Sequence, residues 1–242
     1  MNSVELSQRL SRINTLWTMV FQAHAASGDQ DEVQQAQCIL LERYRGAIFR
    51  YLLGAVRDAE AAEELAQEFA LRFVRGDFRR ADPKKGRFRN YLKTSLSRLV
   101  TDHHRARQQA PGPLAPSVIG GAPAEDDEPS FAANWRQELL ERTWQALAEF
   151  NPTYHAALHL RIEDPELPSA QMAAQLSEQL GKPISAALVR KSLQRAHDKF
   201  ADLLLDEVAL SLETSSPSEM EQELKELDLL RFCRSALERR KS

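Results

Sequence analysis

Residues 58–73 have the sequence DAEAAEELAQEFALRF, which predicts an amphipathic helix. Apolar residues recur in it at every fourth position: Ala61, Leu65, Phe69 and Phe73. Residues four apart lie on the same face of an α-helix, so this stripe can be buried while the acidic positions stay in water. Asp58 directly precedes the pattern, where its carboxylate can accept hydrogen bonds from the first helical amides.

The same periodicity continues on both sides of this stretch and predicts an all-α fold. Only 9 of the 242 residues are glycine, and residues with a high helix propensity dominate throughout. The other predicted helices cover about 3–26, 30–56, 88–108, 135–150, 152–163, 169–180, 185–208 and 219–240.

Residues 109–133 differ from the rest of the chain, because they combine five prolines, three glycines and the acidic run at 125–128. Such a composition is typical of a flexible linker between two domains. We therefore expect two helical domains with a helical extension at each end of the chain. The predicted segments are an N-terminal extension at 1–29, a first domain at 30–108, the linker at 109–133, a second domain at 134–208, and a hinge with a C-terminal helix at 209–242.

The overall composition is 43% hydrophobic and 28% charged, as expected for a soluble globular protein. A net charge of −3 argues against a protein that coats DNA by bulk attraction, although a local basic face is still possible. There is no run of about 20 apolar residues, and the N-terminal residues lack the apolar core of a signal peptide. We expect a cytoplasmic protein with no contact to the membrane.

Motifs for catalysis or metal binding are absent from the sequence. It contains no GxxxxGK, GxSxG or GxGxxG motif, and Cys38 and Cys233 are too far apart in sequence to suggest a zinc site. His155, His159 and Glu163 have helical spacing, but there is no HExxH glutamate and no second ligand cluster. We therefore predict that the chain is not an enzyme and binds neither a metal nor a cofactor.

The stretch 72–107 is basic, with twelve Lys or Arg residues against three acids, and aromatic residues are interleaved. Single-stranded nucleic acid needs this combination, since cations bind phosphates and rings stack on unpaired bases. A solvated helix face with Phe88 and Tyr91 in the core is the alternative. The candidate single-strand-binding residues are Phe78, Arg79, Arg80, Lys84, Lys85, Arg87, Phe88, Arg89, Tyr91, Lys93, Arg98, His103 and Arg105.

A helix–turn–helix is predicted over 169–200, with the turn at 181–184. The residues expected to face inward are Ala170, Met172, Ala173, Leu176 and Leu180 on the first helix, and Leu188, Val189, Leu193, Ala196 and Phe200 on the second. The candidate DNA-contacting residues are Ser185, Arg190, Lys191, Gln194, Arg195 and Lys199. Such side chains bind base edges and phosphates in the major groove. A generic helical hairpin is the alternative.

The order of these segments resembles the extracytoplasmic-function (ECF) type of sigma factor in the sigma-70 family. Residues 58–69 are similar to the polymerase-binding helix of region 2, and KGRFRNYL at 85–92 looks like the motif that follows it. Residues 94–107 resemble the next helix of region 2, and VRKSLQRA at 189–196 resembles the recognition helix of region 4. Residues 16–20 and 81–89 look more like a kinase-associated subgroup of planctomycete-type bacteria.

The resemblance implies a protein that directs transcription initiation by binding core RNA polymerase, at its clamp and flap, and promoter DNA. The basic stretch 72–107 would hold the melted −10 element, and the second helix of the helix–turn–helix would bind the −35 element. The residues implied in polymerase binding are Glu63, Glu64, Gln67 and Glu68. A regulatory kinase or an anti-sigma factor is a further implied partner.

Two other functions are compatible with the same residues. One is a helix–turn–helix regulator that binds duplex DNA without polymerase, and the other is a helical protein-interaction module. The C-terminal helix is either an internal brake or a simple cap on the second domain. Phosphorylation in its hinge could change its docking, at Thr214, Ser215, Ser216 or Ser218.

Overall fold

The computed structural model describes residues 30–75, 88–109, 130–212 and 216–241. Within these ranges the chain forms nine α-helices and no strand, which confirms the predicted all-α fold. The helices are α1 (Gln30–Val56), α2 (Ala59–Arg75), α3 (Phe88–Gln109), α4 (Phe131–Phe150), α5 (Pro152–Glu163), α6 (Ser169–Leu180), α7 (Ala186–Ala209), α8 (Pro217–Glu226) and α9 (Leu230–Lys241). None of these helices is both long and apolar enough to span a membrane. The helix predicted over 3–26 lies outside the described residues.

Short polar segments set the boundaries between the helices. Asp58 accepts hydrogen bonds from the amides of Glu60 and Ala61, at 3.0 and 3.2 Å, and so begins α2. Asn151 caps α5 in the same way, and Pro152 fits the first helical position because no partner is needed for an amide there. Gly181 ends α6 with a left-handed φ of 61°, which glycine adopts without steric cost.

The prediction of one C-terminal helix over 219–240 is wrong. The structure has two helices there, α8 and α9, separated at Asp228, whose φ of 53° is left-handed. Leu227 and Leu229, on either side of this turn, are both buried. The apolar pattern therefore continues through the turn and hides it from periodicity analysis. Phe232, an apolar residue of this stretch that the same periodicity would place in the core, is 56% exposed.

The described residues divide into two compact units, and the boundary between them falls inside α4, after Glu138. The first unit contains α1, α2, α3 and the first two turns of α4, together with Ser211 and Leu212. Its core is formed by large side chains from α1, α2 and α3: Leu40, Tyr51, Leu52, Phe69, Leu92 and Leu96. Gln37 is also buried, and its amide nitrogen donates to the carbonyl oxygens of Phe73 and Val74 at the end of α2, each at 3.3 Å.

The start of α4 belongs to the first unit through aromatic and ionic contacts with α1. Trp135 is fully buried, and its ring stacks on Tyr44 with the ring centroids 4.2 Å apart. One turn later, Glu138 Oε2 lies 2.7 Å from Arg50 Nη2. A side chain at Gly46 would collide with the Glu138 carboxylate, so this glycine makes the ion pair possible.

The predicted linker at 109–133 lies mostly outside the described residues. Its ends are helical, because Gln109 completes α3 and residues 131–133 begin α4. Ser130 begins α4, since its hydroxyl accepts from the amide of Ala133 at 3.4 Å.

The second unit contains the rest of α4 and helices α5 to α9. One apolar cluster lies between α5, α6 and the start of α7, and it includes Met172, Leu176, Ile184 and Val189. Helices α8 and α9 add a second set of buried residues, among them Cys233, and burial raises the pKa of its thiol to about 12. The thiol is therefore protonated at neutral pH.

Candidate functional site

The predicted polymerase-binding residues lie on helix α2, away from the core. Glu63, Glu64 and Gln67 are exposed, whereas Glu68 is half-buried and its carboxylate lies 2.7 Å from Arg72 Nε. The opposite face of α2 is buried and consists of Ala62, Leu65, Phe69 and Phe73. The helix therefore presents carboxylate and amide groups to the solvent on a rigid support.

Two apolar residues extend this solvent-facing side, and sequence analysis missed both. Leu71 is 50% exposed and Val74 is 43% exposed. They follow Gln67 by four and seven positions, so they share its face of the helix. Neither residue belongs to the apolar stripe of Ala61, Leu65, Phe69 and Phe73. An apolar residue outside that stripe was the signal in the sequence that could have identified both as exposed. We use the name α2 face for Glu63, Glu64, Gln67, Leu71 and Val74.

Helix α3 carries the described part of the predicted single-strand-binding surface. Lys93, Arg98 and Arg105 are exposed. Arg98 and Arg105 are seven positions apart and so share one side of the helix. Arg89 is 8% exposed, and this burial is at odds with the direct phosphate contact that was predicted for it.

Tyr91 and His103 are half-buried on the same helix. Burial raises the pKa of the Tyr91 hydroxyl well above its usual value, and a hydrogen bond with Ser95 offsets only part of this effect. Tyr91 is therefore a neutral, partly accessible ring near the beginning of α3. The imidazole of His103 lies edge-on to His104, with 5.8 Å between the ring centroids.

The remaining candidates for single-strand binding cannot be placed beside α3. The side chain of Phe88 is not described, although its backbone begins α3. The other candidates lie outside the described residues: Phe78, Arg79, Arg80, Lys84, Lys85 and Arg87. Their grouping with α3 stays a prediction.

Helices α6 and α7 form the predicted helix pair, and the turn between them is held by side-chain hydrogen bonds. The hydroxyl of Ser177 accepts from the amide of Ile184 at 2.9 Å and donates to the carbonyl of Ala173 at 2.6 Å. The side chain of Ile184 is buried in the cluster between α5, α6 and α7. Ser185 is the N-cap residue of α7, since its hydroxyl accepts from the amide of Leu188 at 3.2 Å. Because this hydroxyl caps the helix, it is already engaged before any DNA contact.

The exposed side of α7 carries most of the predicted DNA-contacting residues. Four of them are exposed: Arg190, Lys191, Gln194 and Arg195. Lys199 is half-buried, and its ammonium group lies 4.3 Å from the centroid of the Phe150 ring. The first turns of α7 therefore present a cationic, hydrogen-bonding surface, while Lys199 packs against an aromatic ring.

Two residues assigned to the buried side of this helix pair are exposed. Ala170 is exposed on α6, and the side chain of Leu188 is 44% exposed on α7. The buried side of α7 is instead set by Val189, Ser192 and Ala196, at steps of three and four. Leu188 lies about 100° around the helix from Val189, so it cannot share that side.

The histidines of α5 form an aromatic group rather than a ligand set. His155 and His159 both contact the Trp144 ring edge-on, at centroid distances of 5.5 and 6.2 Å. Burial, with a smaller contribution from His159, lowers the pKa of His155, so its imidazole favours the neutral form. Within the described ranges no group of three or more His, Cys, Asp or Glu side chains could hold a metal ion.

Helix α9 packs on the second half of α7 through ion pairs. Arg239 Nη2 lies 3.0 Å from Asp202 Oδ1, and Arg240 Nη2 lies 2.6 Å from Asp206 Oδ1. Both aspartates follow Arg195 by at least one helical turn. These ion pairs therefore involve a part of α7 beyond the exposed cationic surface of its first turns.

Residues 40–110 match the family model described as Sigma-70 region 2. The match begins within α1, continues through α2 and ends next to α3, so it includes the α2 face and the exposed arginines of α3. It stops before the helix–turn–helix. No curated protein and no solved structure matches the chain.

Proposed function

We propose, from the region 2 match, that this chain is a sigma factor of the sigma-70 family that binds core RNA polymerase and takes part in promoter melting. The observation that carries the proposal is the match over α1 to α3, in the part of the chain that holds the acidic α2 face and the basic α3 helix. Members of this family initiate transcription without catalysing a reaction themselves. The finer assignment, an ECF-type factor that acts in the cytoplasm, rests on the resemblance of residues 58–107 and 189–196 to that type.

The α2 face would bind a basic coiled coil in the polymerase clamp. Opposite charges steer two surfaces together and fix their register more than they raise the affinity. Leu71 and Val74 would add apolar burial beside the carboxylates, which increases the affinity. A surface that combines both features suits a partner with basic and apolar side chains in alternation.

The basic stretch 72–107 would hold the non-template strand of the −10 element after it leaves the duplex. Arg98 and Arg105 would bind phosphates, and an unpaired base would stack on the ring of Tyr91. Binding unpaired bases stabilises the open bubble, so the chain would need no ATP for melting. The residues at 78–87 would complete this surface.

The exposed side of α7 would enter the major groove of the −35 element. The lysine, arginine and glutamine side chains there can bind guanine and adenine edges or phosphates. A sigma factor that holds two separate promoter elements can bind each weakly, because the intervening chain raises the effective concentration of the second. The flap of the polymerase would be the second docking point.

Replacing Lys191 and Arg195 together with alanine should weaken binding to a −35 duplex at least about tenfold, because two charged groups that contact DNA are lost. The slope of log affinity against log salt should become shallower by about 1.8. Fluorescence anisotropy of a labelled duplex over a salt series measures both quantities.

The matched control removes one lysine and one arginine elsewhere in the same unit. Lys225 and Arg234 are both exposed on the C-terminal helices, and replacing them with alanine should leave the duplex affinity unchanged. Equal losses in the two double variants would mean that only net charge matters. Unchanged affinity in the Lys191/Arg195 variant would remove α7 from the DNA interface.

Two alternatives are separated by simple binding tests. A helix–turn–helix regulator would bind duplex DNA but would not copurify with core RNA polymerase. The basic stretch upstream of the linker favours the sigma factor, because a regulator needs its positive charge mainly on the recognition helix. A protein-interaction module would show no salt-dependent binding to a forked promoter fragment.

Three expectations stay predictions: the regulation of this chain, a kinase or anti-sigma factor as its partner, and its membership of the kinase-associated subgroup. Thr214 and Ser215 lie outside the described residues. Ser216 caps α8, since its hydroxyl accepts from the amide of Glu219 at 3.3 Å, and Ser218 follows in the first turn. The ion pairs between α9 and α7 support the simpler role of a cap on the second half of α7.

A further inference from the structure

We infer that Leu188 contacts the methyl group of a thymine in the −35 element and so helps to select the promoter. The inference rests on the proposed function, because it requires α7 to lie in a major groove. Apolar periodicity assigns Leu188 to the core, but 44% of its surface is exposed in the structure. On a helix that binds DNA, an exposed leucine can bury its apolar surface against the DNA.

Leu188 does not belong to the apolar core of its own unit. The apolar cluster nearest in sequence contains Ile184 and Val189, and its partly buried neighbours include Leu193. Leu188 is not part of this cluster, and 44% of its surface is exposed. Single exposed apolar residues are common on protein surfaces, so exposure alone does not indicate a function for Leu188. The position of Leu188 on α7 is the observation that does.

That position is the first turn of α7, three residues after the capping Ser185. In a helix–turn–helix the N-terminal residues of the second helix approach the base edges most closely. Lys191 and Arg195 follow Leu188 by three and seven positions, so the three side chains form one row along the helix. The cations would hold this row against DNA, with Leu188 at the end nearest the bases.

The chemistry of the groove then selects the base. Donors and acceptors occupy most of the major-groove edge, and an isobutyl side chain can satisfy none of them. The methyl group of thymine is the apolar feature of that edge, and it is the usual contact of apolar side chains in direct readout. Burying one methyl group between protein and DNA corresponds to about a fourfold gain in affinity.

The test uses the full chain assembled with core RNA polymerase and a promoter library with a randomised −35 region. The selected site is then synthesised with deoxyuridine in place of thymidine at one position at a time, which removes only the methyl group. We expect one position at which this change lowers the affinity about fourfold. The Leu188→Ala protein should bind the thymidine and deoxyuridine versions of that site equally well.

Phe232→Ala is the matched control, because Phe232 is another exposed apolar residue of the same unit, 56% exposed on α9. It should keep the full difference between thymidine and deoxyuridine. Circular dichroism should show unchanged helix content for both variants, since neither side chain is buried.

The inference is overturned if no thymine position responds to loss of its methyl group, or if Leu188→Ala keeps the response. Either result leaves the proposed function intact, provided that the library yields a preferred −35 sequence that Lys191→Ala/Arg195→Ala binds less well. A library that yields no preferred sequence in this region would instead overturn the proposed reading of the −35 element, and the inference with it.

Discussion

A double variant with lysine in place of Glu63 and Glu64 is expected to bind core RNA polymerase roughly 100-fold more weakly than the natural chain. Both side chains are exposed on α2, at the N-terminal end of the α2 face. If the partner surface is basic, the substitution replaces attraction by repulsion, and like charges facing each other across an interface cost several kcal/mol. The affinity can be measured by titrating labelled chain with core enzyme in the absence of DNA.

The fold should tolerate this change because neither carboxylate belongs to the core of the first unit. A control with the same change in net charge is Glu226→Lys/Glu238→Lys, at two exposed positions on the C-terminal helices α8 and α9, away from the helix–turn–helix. Its affinity for the core enzyme should stay within about threefold of the natural value, as expected for charges away from the interface. If the two double variants lose affinity equally, α2 is not the docking helix.

Trp135→Ala is expected to lower the free energy of unfolding of the first unit by about 3–5 kcal/mol. The Trp135 side chain is fully buried, stacks on Tyr44 and lies with its ring 5.9 Å from the Arg43 guanidinium. Truncating it leaves a large cavity and removes the cation–π contact, and neither loss can be recovered by a small shift of the helices. Chemical denaturation followed by circular dichroism measures the change.

Phe150→Ala tests the same type of truncation on the same helix. Phe150 is 55% exposed at the end of α4, so its loss should cost less than about 1 kcal/mol. The difference between the two losses in the free energy of unfolding measures how much the packing of the start of α4 against α1 contributes to stability. A small effect of Trp135→Ala would mean that this docking contributes little to stability.

Much of the fold follows from sequence, because caps and helix-ending residues act locally. Asp58, Asn151 and Gly181 mark helix ends in the sequence and form these ends in the structure. Each acts through the hydrogen bonds or backbone angles of its nearest neighbours, so no tertiary information is needed to recognise it.

The buried side of α7 could not be predicted in the same way. Hydrophobic periodicity favours Leu188 over Ser192 as a core residue, yet Leu188 is exposed and Ser192 is 2% exposed. A small residue allows a neighbouring helix to approach closely, and this depends on the tertiary arrangement rather than on the polarity of the residue. The same limit explains why the turn at Asp228 was missed between two buried leucines.

The candidate site shows the same division between local and tertiary information. Glu63, Glu64 and Gln67 were assigned to an exposed face from their spacing, and they are exposed. Leu71 and Val74 were missed because an apolar residue is assigned to the core by default.

Run-off transcription with core RNA polymerase, with and without the purified chain, tests the central claim most directly when the start sites on a genomic library are mapped. The account predicts new start sites that appear only with the chain, share common −10 and −35 elements, and disappear with the Glu63→Lys/Glu64→Lys variant. Start sites that are identical with and without the natural chain would contradict the account.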